Sequence, residues 1–78
     1  MLEVEFTIEP FVEGAPGPHV TAAIAAVERL GGSVEIGPFG TTLRTNKGEV
    51  GSIVAALLDA AYANGATHVS MHVGPDSE

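Results

Sequence analysis

Three glutamates, Glu3, Glu5 and Glu9, occupy alternate positions of one stretch together with Thr7, and two histidines, His68 and His72, stand four residues apart near the other end. Carboxylates and imidazoles are the side chains that hold cations or exchange protons near neutral pH. Three like charges on one strand face repel one another. A bound cation, Arg44 or a protonated histidine would relieve that repulsion, which gives the cluster a reason to bind a positively charged small molecule. The plainer reading is a solvated sheet face, with acids opposite bases worth a few tenths of a kcal/mol per pair. A metal site is not expected. Four residues along a strand separate the His68 and His72 backbones by about 13 Å, too far to share one ion, and one histidine with one glutamate is only two ligands. His19, in the first turn of a helix, reads as a surface residue. Ser33, Ser52, Ser70 and Ser77 lack an elbow of the Gly-x-Ser-x-Gly type. A glutamate beside a histidine could serve as acid and base, but no nucleophile accompanies it. No catalytic residue is assigned, and the function expected is binding.

These groups must be placed by a small fold. The chain has 78 residues, ten acids against three bases, and a formal charge of −7. That length makes a single domain, spanning 1–78, with a core near the lower limit of self-sufficiency, so self-association is expected. The negative balance argues against nucleic acid, which needs a basic footprint. Cysteine is absent, so disulfides and thiolate chemistry are excluded. No apolar run is long enough to span a membrane, and a cytoplasmic protein without a membrane partner is the expectation.

The elements follow from hydrophobic period. Residues 2–9 alternate strictly, Leu2, Val4, Phe6 and Ile8 to one face, Glu3, Glu5, Thr7 and Glu9 to the other. A Gly/Pro-rich loop runs through Phe11-Val12-Glu13-Gly14-Ala15-Pro16-Gly17, and Pro18 suits a first helical position. Val20, Ala23, Ile24, Val27 and Leu30 form a helical stripe that Gly31-Gly32 ends. Residues 33–36 send Val34 and Ile36 inward. Residues 41–45 send Leu43 inward and Thr42 and Arg44 outward. Asn46 or Gly48 would cap a second helix carrying Val50, Ile53, Val54, Leu57, Leu58 and Ala61, and Gly51 inside it suggests close packing. The last strand, 67–73, sends Val69, Met71 and Val73 in and His68, Ser70 and His72 out. Gly74 onward reads as a frayed end, with 75–78 a flexible tail. The order β-α-β-β-α-β is the split βαβ arrangement of an α+β, ferredoxin-like sandwich. Right-handed crossovers then give a four-stranded antiparallel sheet of order 4-1-3-2, with both helices on one face.

The turn Glu35-Ile36-Gly37-Pro38-Phe39-Gly40-Thr41-Thr42 is the most particular piece of the chain. It has turn chemistry, but no phosphate-loop lysine, and it opens no helix. Phe39 at its tip either covers the core or lies on a flat heterocycle. Together with Glu5-Phe6-Thr7-Ile8-Glu9-Pro10-Phe11, Pro18-His19-Val20 and Gly65-Ala66-Thr67-His68-Val69, it resembles the thiamine-binding, YkoF-like family of ferredoxin-like domains. The resemblance spans nearly the whole chain. It implies a non-enzymatic domain that binds thiamine or its hydroxymethylpyrimidine half, needs no cofactor, and associates into dimers or tetramers through its sheets. Under that resemblance Glu9 or Glu35 would meet the pyrimidine amino group and Thr41 or Thr42 a ring nitrogen. Phe39 or Phe11 would stack on a ring. Arg44 departs from the pattern, standing where relatives often carry an acid, and its charge opposes a cationic ligand. The alternatives are an interaction domain that uses the polar sheet face as an interface without ligand, and an enzyme using glutamate and histidine as acid and base.

Overall fold

The computed structural model describes residues 1–10, 17–37 and 40–75. Six elements follow in order: β1 Leu2–Glu9, α1 Pro18–Arg29, β2 Ser33–Gly37, β3 Gly40–Thr45, α2 Val50–Ala63 and β4 His68–Pro75. The sheet order is β2-β3-β1-β4 with every neighbouring pair antiparallel. This is the ferredoxin-like βαββαβ sandwich expected from the sequence. Among the described residues no helix is long and apolar enough to cross a membrane.

Chain chemistry sets the helix ends. Pro18 opens α1, where its missing N–H removes no helical bond. At the other end Gly31 takes φ +89°, while Gly31 N–H donates to Glu28 O and Gly32 N–H to Val27 O. That is a Schellman closure, which only a residue tolerant of left-handed backbone makes without strain. Gly32 is needed for a different reason: a Cβ there would lie 2.6 Å from Val27 Cγ1 and 3.0 Å from Leu43 Cδ1. The N-cap of α2 is Glu49, without a side-chain cap bond, rather than Asn46 or Gly48; Asn46 closes the turn in front of it. Its Oδ1 accepts from Glu49 N–H at 3.0 Å, and its Nδ2 donates to Glu49 Oε1 at 3.2 Å. These two bonds, with Glu49 N–H and Val50 N–H donating to Asn46 O, hold the turn that leads into the helix.

The helices lie together over the centre of the sheet. Val4, Phe6 and Ile8 of β1 and Leu43 of β3 meet Ala23 and Val27 of α1 and Ile53, Leu57 and Ala61 of α2. Alanines at the helix contact allow close approach, so the two short helices share one core.

Four further expectations need correction. Ile36, assigned inward, is 68% exposed, and Val73 is 44% exposed. Both lie on the outer strands, and the helices are seated over β1 and β3, so alternation gives the correct face without burial. β4 continues through Gly74 and Pro75, opposite Glu3 and Leu2, rather than ending at Val73; residues 76–78 of the expected tail lie outside the described residues. Gly51 is not a packing glycine, because a Cβ there meets nothing within 4 Å. His19 is buried, only 5% exposed, and its Nε2–H donates to Pro10 O at 2.6 Å. The first turn of α1 packs towards the end of β1, which gives the imidazole a backbone acceptor.

Candidate functional site

The face away from the helices collects every second residue of four strands, and the register sorts them into rows. Glu35, Thr42, Glu5 and His72 stand side by side across β2, β3, β1 and β4. Ser33, Arg44, Glu3 and Gly74 form the row on one side. On the other side Gly37 pairs with Gly40 and Thr7 with Ser70. One further step of the β1–β3 register sets Thr7 against Gly40, where an added Cβ would lie 3.3 Å from Thr7 Cγ2. Two glycines, a threonine and a serine thus make one row of small side chains across the sheet. Where tall side chains give way to small ones, the surface sinks. An open depression of about 530 Å³ lies there, a size suited to a small organic molecule.

Its floor is the small row together with strand backbone at Phe6, Thr41 and Met71. Those three residues alternate with the bare-face ones. Phe6 is buried and Met71 packs on the core, so their side chains belong to the helix side. Glu5, Thr42 and His72 form the polar rim. The arrangement offers an anionic edge, hydroxyl groups of both hydrogen-bonding senses, and a floor flat enough for a ring.

Charge is unevenly satisfied along the rim. Arg44 Nη2 lies 3.3 Å from Glu3 Oε2 and Nη1 lies 3.8 Å from Glu35 Oε1, so one guanidinium bridges carboxylates on two strands. Glu5 Oε1 is 3.9 Å from His72 Nδ1, and Glu9 Oε1 is 3.9 Å from His68 Nδ1. These latter contacts become ion pairs only when the imidazole is protonated. Exposed pairs of this kind contribute about 0–1 kcal/mol each, so their value is in where they leave negative charge. Arg44 engages Glu3, in the row on the side of Glu5 away from the depression, and Glu35, two strands over in the row of Glu5 itself. Its charge offsets those two acids, and Glu5 is the acid among the residues that line the depression.

Of the residues singled out from the sequence, Thr41 and Thr42 line the depression. Glu9 and Glu35 share the face but lie outside the depression, Glu9 beside His68 and Glu35 beside Arg44. Phe11 and Phe39 lie outside the described residues. The sequence reading put Glu5, Thr7, Ser70 and His72 on the bare face without assigning them to a site, and it took Gly37 and Gly40 as turn residues only. Among the described residues no group of three or more His, Cys, Asp or Glu stands close enough to hold a metal ion.

Residues 4–77 match the family described as thiamine-binding protein. The chain belongs to that family. Among solved structures, this thiamine-binding-family chain is similar to a domain of unknown function, DUF77, from Bacillus cereus. The TM-score is 0.65 and the identity 23%, over 94% of this chain and 71% of that one. A protein of Streptococcus pneumoniae gives a TM-score of 0.66 at 21% identity, over 94% and 81%. A hypothetical protein from Methanocaldococcus jannascii gives 0.62 at 24%, over 99% and 79%. At these identities the structural likeness bears on the fold alone. Among curated proteins none matches the chain.

Proposed function

We propose that the sheet-face depression binds thiamine or its hydroxymethylpyrimidine half, without catalysis. The observation that carries this reading is the row Gly37, Gly40, Thr7 and Ser70, which sinks the polar face beside the Glu5 carboxylate in a member of the thiamine-binding family. An aminopyrimidine is flat and presents ring nitrogens and an amino donor, which Thr7, Ser70 and Thr42 hydroxyls and a carboxylate complement. A thiazolium carries the positive charge that Glu5 would attract. The reading shifts the amino-group or cation partner from Glu9 or Glu35 to Glu5, because Glu5 is the acid on the rim.

Calorimetric titration of the chain with thiamine and with hydroxymethylpyrimidine tests it. Binding is expected with at least one of them, and Thr7→Leu, which fills the depression, is expected to remove it. Absence of heat with both compounds, or unchanged affinity in Thr7→Leu, contradicts the reading. The open sheet face also favours a second reading, an interaction domain whose polar face contacts another protein surface. That reading predicts no heat with either compound and a change of assembly in Glu5→Lys.

A further inference from the structure

β4 is an outer strand of the sheet, eight residues long, with proline only at its last position. Such an edge presents unpaired N–H and C=O groups to any second strand, and lysines, inward charges or bulges are what usually blunt it. β4, His68-Val69-Ser70-Met71-His72-Val73-Gly74-Pro75, has no lysine, arginine, aspartate or glutamate. The opposite edge, β2, has five residues and carries Glu35. In a chain of charge −7, β4 is the edge along which two copies meet with the less repulsion.

His68 and His72 lie on this edge symmetrically about Ser70, both exposed and both on the bare face. Each has Nδ1 3.9 Å from a β1 carboxylate, Glu9 for His68 and Glu5 for His72. At 3.9 Å the carboxylates are near neighbours of Nδ1 rather than hydrogen-bond partners, and Nε2 of each ring is open to a metal ion. Within one chain the two histidines are about 13 Å apart and serve separate ions at best. An antiparallel pair of β4 strands about a twofold axis at Ser70 changes that. His68 then falls directly opposite the second copy's His72, and the axis, perpendicular to the sheet, keeps both on the same face. Directly opposed residues have Cβ atoms about 4.5–5.5 Å apart, a separation from which two imidazoles can converge on one ion at about 2.0–2.1 Å. The same axis generates a second, equivalent pair. On the helix side it sets Val69 against the second copy's Met71, an apolar seam.

We propose that a second copy of this chain pairs along β4, and that each of the two opposed His68–His72 pairs binds a divalent transition-metal ion. Imidazole donors suit zinc, nickel or copper rather than magnesium or calcium. Glu9 and Glu5 lie beside the rings, and water completes the coordination. Neither copy holds the ion alone.

Equilibrium sedimentation of the chelator-stripped chain, titrated with zinc chloride and separately with magnesium chloride, tests the proposal. Zinc is expected to raise the mass about twofold by linkage, at one ion per chain, reversibly with chelator, whereas magnesium leaves it unchanged. His68→Ala and His72→Ala each remove one ligand from both pairs, so each variant alone should stay monomeric with zinc. Mixed, the two variants rebuild one intact pair, and a dimer holding one ion should return. Thermal unfolding of each variant, matched to the parent, establishes that the fold is kept, with His68→Gln as a second replacement. A chain that stays monomeric in zinc, a dimer indifferent to zinc or to His68→Ala, or a mixture that behaves as its separate parts overturns the proposal.

Discussion

The His19 imidazole and the Pro10 carbonyl form a contact of 2.6 Å that joins the end of β1 to the first turn of α1. Replacing His19 with alanine leaves that carbonyl without its partner and opens space in a buried position. A loss of about 1–3 kcal/mol is expected, read as a lower urea midpoint with an unchanged slope. An unaltered midpoint would mean that the bond is not made in solution. Glu5→Gln keeps the shape of the rim and removes its charge. It is expected to weaken thiamine binding about tenfold or more, in line with a charged hydrogen bond or ion contact of about 1.5–3 kcal/mol. Uncharged hydroxymethylpyrimidine should be affected less, and calorimetry on both ligands separates the two effects. His19 was not legible in the sequence, because a histidine in a first helical turn carries no mark of the acceptor that a distant strand end supplies.

At the scale of the element, two glycines that look alike in the sequence differ in what surrounds them. Gly51 lies within α2, exposed, with room for a methyl group. Gly51→Ala should stabilise the chain by about 0.5–1 kcal/mol through helix propensity and a less free unfolded state, seen as a higher melting temperature. Gly32 is the opposite case, because a methyl group there collides with Val27 and Leu43. Gly32→Ala should destabilise by about 1–3 kcal/mol, and equal effects in the two variants would refute the distinction. The helix and strand assignments themselves were legible, since period two in β1 and the helical stripes of α1 and α2 are local signals. Ile36 shows where that legibility stops. Alternation gives the side of the sheet, and only the seating of the helices decides whether that side is covered.

The whole molecule makes its site by register rather than by motif. Thr7 and Ser70 are ordinary strand residues, and Gly37 and Gly40 are ordinary turn residues, until three strand pairings bring them into one row. The Gly37–Gly40 pairing extends β2 and β3 by one residue each beyond the 33–36 and 41–45 stretches that alternation marks. That β1 pairs with β3 and β4 follows from the crossovers, but the register of those pairings depends on tertiary contacts between distant segments, which no local pattern records. The fold could therefore be named from the sequence while the depression could not. Backbone amide chemical shifts, followed by NMR during titration with hydroxymethylpyrimidine and then thiamine, test the central claim most directly. The largest shifts are expected to cluster at Thr7, Gly37, Gly40, Thr42 and Ser70, with α1 and α2 little changed. Shifts centred on the helices, or none at saturating ligand, would contradict it.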